Sequence, residues 1–235
     1  MVSALRRRLP LASRAEAEEL LDSGELTPSE VRANLGDLAR MNRLPGGVSA
    51  STKAIDRLAD ASSLELSVLD AGTGAGDMPL AFARRGWRTT AIDTNPEVLR
   101  VARRATSRTD RVEILEADAR HLPFADDTFD LAHSSLLLHH LTPAEAVVVL
   151  TEMRRVARLG VIVNDLRRGL LPLAITAVSV VAFGSTHVTR TDGIASARRS
   201  YTLRELDELL AAAGLRPVWR SNRWMPRVVT AAVPR

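Results

Sequence analysis

The residues best suited to chemistry lie in Val68-Leu69-Asp70-Ala71-Gly72-Thr73-Gly74-Ala75-Gly76, a short apolar run that passes directly into a glycine-rich turn. Glycines lack a Cβ, so they let the chain bend sharply and let a ligand reach main-chain N–H groups. A bare G-x-G-x-G is common, and its context gives it meaning. Asp93 closes the next apolar run about 20 residues on, where a carboxylate can accept hydrogen bonds from both hydroxyls of a ribose. The pair points to an adenosine-containing cofactor. The dinucleotide fingerprint places its third glycine three residues after its second, so that a pyrophosphate sits on a helix N-terminus. Here the glycines stand at 72, 74 and 76, with Asp70 before them and Asp77 after. Those carboxylates disfavour a diphosphate and suit a cofactor with a cationic sulfonium and an amino group.

A second constellation is built on histidine. His139 and His140 follow the apolar run 129–134, and Asn164 and Asp165 end the next one. A neutral histidine within hydrogen-bond reach of a hydroxyl is a natural general base near neutral pH. His139 is expected to face a pocket, with a histidine satisfying a helix terminus as the alternative reading. His140, Asp165 and Asn164 are the other base or orienting candidates, and His187 reads as solvated. The chain has no cysteine, which excludes disulfides, thiolate catalysis and Cys-based zinc sites. Neither H-x-x-x-H nor paired-carboxylate spacing surrounds the histidines, so no metal is expected.

These residues need a sheet edge to bring them together. From Leu64 onward, short apolar runs alternate with amphipathic stretches, the pattern of βαβ units. Strands are predicted over 66–70, 88–93, 112–117, 129–134 and 161–165, with closing strands over 216–220 and 228–233. Asn95 with Pro96, and Thr142 with Pro143 and Glu145, open helices between them, the second ending before Gly160. Thr202 and Glu205 open another, with Leu206, Leu209 and Leu210 inward and Gly214 as its stop. The expected fold class is α/β: a doubly wound, mostly parallel seven-stranded sheet with helices on both faces. With 235 residues the chain can bury one substantial core, so residues 61–235 are expected to form the main domain, carrying a cap insertion over about 168–200.

Residues 1–60 read as an N-terminal helical extension. Thr27, Pro28 and Glu30 make an N-cap, N1 and N3 set before Val31, Leu35 and Leu38 at helical spacing. That helix is expected to stop near Pro45, Gly46 and Gly47, and a second to run over 51–59 with Ile55 and Leu58 on one side. Packing against the main domain and acting as a lid are both open to this extension. In the cap insertion, the stretch 170–184 is apolar nearly all round. It reads as a buried helix, or as the wall of an acceptor pocket favouring a hydrophobic or aromatic small molecule. A polar, arginine-bearing loop is expected from there to Arg199, and Arg167, Arg168, Arg198 and Arg199 could grip a carboxylate or phenolate.

At this point a resemblance emerges. The stretch 64–165 resembles the class I S-adenosylmethionine-dependent methyltransferases, particularly the small-molecule group with a D-x-G-x-G-x-G turn. The resemblance implies that Gly72, Gly74 and Gly76 shape the cofactor turn with Thr73 between them, that Asp70 lies near the methionine part, and that Asp93 holds the ribose with Thr94 beside it. Leu115-Glu116-Ala117-Asp118-Ala119-Arg120-His121-Leu122-Pro123-Phe124 is similar to a further family signature, which implies that Asp118 meets the adenine amino group and the Ala119 backbone flanks the ring. Phe129-Asp130-Leu131-Ala132-His133-Ser134-Ser135, followed by Leu138-His139-His140-Leu141, resembles the strand-four signature and makes Ser134 the candidate beside the methionine moiety. The helix after it, expected to end in Arg158-Leu159-Gly160, lacks the family's usual Pro-Gly-Gly turn. More loosely, Leu38-Ala39-Arg40-Met41-Asn42-Arg43 and the runs 164–168 and 191–199 resemble bacterial methyltransferases of polyketide or phenolic-lipid pathways.

The implied reaction is methyl transfer from S-adenosylmethionine, leaving S-adenosylhomocysteine, to oxygen or an aromatic carbon of a hydrophobic small molecule in secondary metabolism. RNA or protein methylation and a catalytically silent, cofactor-binding regulatory protein are the alternatives. Composition weighs against nucleic acid: Lys53 is the sole lysine among 32 basic residues, net charge is +4, and aromatics are 3%, with arginines scattered rather than grouped on one stripe. The stretch 170–184 is interrupted by Pro172 and too short to span a bilayer. Arg6 to Arg8 are followed by Glu16, Glu18, Glu19 and Asp22 rather than by an apolar run, so a cytoplasmic location is expected. A homodimer is left open.

Overall fold

A computed structural model describes residues 14–15, 20, 26–43, 47–59, 65–221 and 226–235. Arg6 to Arg8, the acidic residues from Glu16 to Asp22, the helix stop at Pro45 and Gly46, and the domain start at Leu64 lie outside the described residues. The chain runs α1 (Pro28–Met41), α2 (Val48–Leu58), β1 (Ser67–Ala71), α3 (Asp77–Arg84), β2 (Arg88–Asp93), α4 (Pro96–Thr106), β3 (Val112–Glu116) and β4 (Phe129–Ser135). A 3₁₀ turn (Leu138–His140) follows, then α5 (Pro143–Val156), β5 (Ala157–Leu166), α6 (Leu170–Phe183), α7 (His187–Arg199), α8 (Leu203–Ala212), β6 (Leu215–Arg220) and β7 (Arg227–Pro234).

The seven strands form one sheet in the order β3-β2-β1-β4-β5-β7-β6. β1, β2, β3, β4 and β5 pair in parallel, and β7 is antiparallel to both β5 and β6. A parallel sheet is covered on both faces, so its central strands are apolar continuously rather than alternately. In β1, Val68, Leu69 and Ala71 are all fully buried. One face packs on α5 and α8 through Leu150, Met153 and Leu210, and the other on α2 and α3 through Ile55, Met78 and Phe82. α1 stands apart from both and rests on α4, with Val31 and Leu35 against Val98.

The helix starts follow their caps. The Thr27, Thr142 and Thr202 side chains each accept from the backbone N–H three residues on, and Glu30, Glu145 and Glu205 reach back to the cap amide. Asn95 accepts from the Glu97 amide at 2.9 Å. Each such cap contributes about 1 kcal/mol.

Two expectations are corrected. Arg158, Leu159 and Gly160 are not a helix end: α5 passes into β5 at Ala157 with no turn between them. Gly160 is required by a close approach, since a Cβ there would lie 2.4 Å from the Ala232 carbonyl oxygen of β7. The expected polar loop before Arg199 is instead helix α7, capped by Thr186, which accepts from the Thr189 amide at 3.0 Å. Its buried face is Val188, Thr189, Asp192, Ser196 and Ala197, mostly polar or small, so hydrophobic periodicity could not reveal it.

Candidate active site

A cavity of about 870 Å³ opens along the edge where β1, β2 and β4 end. In open α/β sheets ligands bind at this carboxyl edge. The volume is near the upper end of the ~300–1,000 Å³ of small-molecule sites, enough for two ligands side by side. α1 contributes Asn34, Leu35, Leu38 and Met41 to its wall, and α6 and α7 contribute Ile175, Thr176, Val180, Thr189 and Ser196.

The glycine-rich turn is held by the neighbouring strand: the Gly72 and Thr73 amides both donate to the Ile92 carbonyl at 3.0 Å. Gly72 and Gly74 have φ of +71° and +54°, where an L-residue is strained. A Cβ on Gly74 would meet no atom within 4 Å, because that side faces the cavity. Gly76 does not line the cavity; it is the left-handed cap that starts α3.

Three carboxylates follow in strand order. Asp70, at the end of β1, is 1% exposed and meets His133 Nδ1 at 2.7 Å through Oδ1. Its Oδ2 and the Thr73 hydroxyl are buried and have no hydrogen-bond partner among the described residues, and both residues line the cavity. Asp93, at the end of β2, accepts from the Asn95 amide at 3.1 Å and the Gly74 amide at 3.4 Å. Burial, reinforced by Asp70, pushes its carboxyl above the usual range against those amides. Burial likewise raises Asp77, which accepts from Asn42 at 2.9 Å. Asp118, past β3, accepts from the Arg120 amide at 2.8 Å and pairs with its guanidinium, which holds it below the usual range.

On the other side of the cavity, His139 Nδ1 lies 2.6 Å from Asp165 Oδ1, and the His139 amide donates to Asp165 Oδ2 at 3.2 Å. Both residues are buried. Burial pushes the Asp165 carboxyl up, but the charge and hydrogen bond of His139 and the Leu166 amide outweigh it and leave the group below its ordinary value. The His140 ring is tilted against His139 with centroids 4.3 Å apart. His139 and His140 line the cavity, and Asp165 stands behind them.

Residues 68–160 match the family model described as a methyltransferase domain. That stretch is therefore similar to methyltransferase domains. A demethylmenaquinone methyltransferase from Thermobifida fusca is 40% identical over 103 residues, 43% of this chain and 42% of that protein. The chain thus spans less than half the length of this and other curated relatives it matches. Among solved structures, an S-adenosylmethionine-dependent methyltransferase from Aquifex aeolicus superposes with a TM-score of 0.62 at 21% identity, covering 88% of this chain and 98% of that one. Human N-acetylserotonin methyltransferase, in complex with S-adenosylmethionine, gives 0.66 at 18% identity, over 94% of this chain and 60% of that one. These likenesses show the fold.

Within residues 68–160, Asp70, Gly72, Thr73, Gly74, Asp93, Thr94, Asp118, Ala119, His139 and His140 all line this same cavity. Ser134 does not. Successive strand residues face opposite ways, so Ser134 is buried with Ala132 while Ser135, on the face of Leu131 and His133, reaches the cavity. The four arginines offered as anion grips are absent from the lining. Arg168 bonds the Ser200 carbonyl at 2.7 Å and Glu205 at 2.6 Å, and Arg199 bonds the His140 carbonyl at 2.9 Å. His187 is exposed on α7 and also lies outside the lining.

Arg227, one arginine among many in the sequence and marked by no motif, lines the cavity from the start of β7. Its guanidinium donates to Asn164 Oδ1 at 3.1 Å, to Ser135 Oγ at 2.8 Å and to Asn42 Oδ1. Burial pulls its pKa down to about 10, opposed by Asp165 and Asp77. Asn164, proposed as a base or orienting group, is fully buried and bonds Ser51 at 2.8 Å and the Gly47 carbonyl at 3.2 Å.

Proposed function

We propose that this protein transfers the methyl group of S-adenosylmethionine to oxygen on a hydrophobic or aromatic small molecule of secondary metabolism, with His139 as the base. The observation that carries the reading is a single cavity with an acid-lined glycine turn at one side and a buried His139–Asp165 pair at the other. The unpartnered Asp70 Oδ2 and Thr73 hydroxyl, and the open space beside Gly74, fit a polar, cationic cofactor. Asp93 would hold its ribose with Thr94 alongside, Asp118 and the Ala119 backbone its adenine, and Asp70 with the turn its amino-acid half; Gly76 sets the bend, and Ser135 takes the place first given to Ser134.

When bound, S-adenosylmethionine supplies an activated methyl group on sulfur. The protein's task is to align a hydroxyl with that S–methyl bond, which is worth roughly 7–11 kcal/mol of barrier. With Asp165 Oδ1 held 2.6 Å from Nδ1, the His139 ring would be oriented to take the proton of an acceptor hydroxyl when the cofactor supplies its methyl group. His140, stacked on His139, limits its rotation. α1 serves as the lid contributed by residues 1–60, and the insertion over 168–200, as α6 and α7, closes the acceptor side.

Transfer to carbon is the second reading, favoured by the similarity to a protein from Cupriavidus pinatubonensis named a ubiquinone/menaquinone biosynthesis C-methyltransferase. Two measurements test the proposal. Isothermal titration should detect S-adenosylhomocysteine binding, and its absence refutes the cofactor assignment. His139→Ala should lower single-turnover methylation of a phenolic acceptor by about 10²–10⁴-fold with cofactor affinity unchanged; normal turnover removes His139 as the base.

A further inference from the structure

Resting on the reading that the turn seats S-adenosylmethionine with Asp70 at its amino-acid half, we propose that Arg227 binds the cofactor's α-carboxylate. Arg227 is 8% exposed and makes no ion pair among the described residues; its three hydrogen-bond partners, Asn164, Ser135 and Asn42, are all neutral. A guanidinium carries five N–H donors, so two remain beyond those three bonds, on a residue that lines the cavity. Asp165 and Asp77 offset part of the cost of burying this cation without pairing with it, and a ligand carboxylate is the group that would bond its remaining donors. Asp70, which lines the same cavity, is its complement, a buried carboxylate with one oxygen unpartnered among the described residues.

One chain of hydrogen bonds joins the two. Asp70 Oδ1 meets His133 Nδ1 at 2.7 Å, His133 Nε2 meets Ser51 Oγ at 2.9 Å, Asn164 Nδ2 donates to Ser51 at 2.8 Å, and Arg227 donates to Asn164 at 3.1 Å. Arg227 also returns to the turn through Asn42, which donates to Asp77 at the start of α3. The relay links a negative group at the end of β1 to a positive group that reaches Ser135, at the end of β4, from the start of β7 beside β5. An α-amino acid zwitterion has the matching pair of charges.

The test is isothermal titration of S-adenosylhomocysteine and of its decarboxylated analogue, which keeps the amine and loses only the carboxylate. Wild type should prefer the intact ligand by about tenfold or more. Arg227→Met should lose that preference by weakening the intact ligand alone, and Arg227→Lys should regain part of it. Equal weakening of both ligands by Arg227→Met would make Arg227 a structural clamp and overturn the proposal. If Arg227→Met does not fold, the wild-type pair decides: a preference below twofold overturns the proposal, and tenfold supports it. Failure of wild type to bind either ligand would instead reject the cofactor reading itself.

Discussion

The two walls of the cavity are built on different principles. The wall at the ends of β1 and β2 is backbone: amides held by the Ile92 carbonyl, positive-φ glycines and short carboxylates on strand ends. The opposite wall is side chains on α1, α6 and α7, helices that pack chiefly on one another, on α4 and on the 3₁₀ turn. The first admits few residue types at each position, whereas the second needs only volume and rough polarity. Changes should therefore be severe and ligand-specific on the cofactor wall and graded on the acceptor wall.

The sharpest test of that contrast is Gly74→Val. It combines φ strain of about 1–2 kcal/mol with a side chain pointing into open cavity. S-adenosylhomocysteine binding should weaken by more than about 100-fold, or 2.7 kcal/mol, while circular dichroism stays native. Binding within tenfold of wild type would show that the backbone wall is more tolerant than its geometry implies. Asp93→Ala comes next: with the carboxylate proposed to hold the ribose removed, calorimetry should show a loss of about 1–3 kcal/mol of affinity.

The same contrast explains what the sequence revealed. All seven strands were legible, because buried parallel strands are apolar runs and because Thr27, Asn95, Thr142 and Thr202 mark helix starts whatever the tertiary context. The turn was legible because only glycine tolerates its dihedrals. Ser134 was misplaced by one residue, since a strand's register against its cavity depends on the pleat, which composition does not state. Helix α7 was hidden because its inner face satisfies Asp37 and the cavity with Thr189 and Asp192 rather than with leucines. Arg227 was hidden because a cation's role follows from the neutral partners that surround it, and Asn42 and Ser135 are 185 and 92 residues away in the chain.

Titration should separate the walls as well. Asp165 is held below its ordinary value, so its stabilisation is complete above the unfolded value of about 3.9 and is lost as pH falls through the lower folded one. Asp77 and Asp93 are held above theirs; their contribution is present below about pH 3.9 and is lost as pH rises through the folded values. Asp165→Asn should cost about 1 kcal/mol near neutrality, the difference between a charged and a neutral hydrogen bond, and flatten the acid limb of stability. Asp93→Asn should flatten the opposing rise instead. Identical pH profiles for the two variants would remove the distinction.

The smallest effects should lie on α6, whose two faces allow a test within one helix. Ile175 lines the cavity, whereas Val178, one turn away, is 69% exposed. Val178→Ser should leave stability within about 0.5 kcal/mol and leave both ligands' affinities unchanged. Ile175→Ala should raise the KM of a hydrophobic acceptor by about tenfold, the loss expected for a few buried methylene contacts, without moving cofactor affinity. A KM effect from Val178→Ser, or a cofactor effect from Ile175→Ala, would mean that the helix is placed differently when ligands are bound and that the acceptor wall is not a side-chain lining independent of the turn.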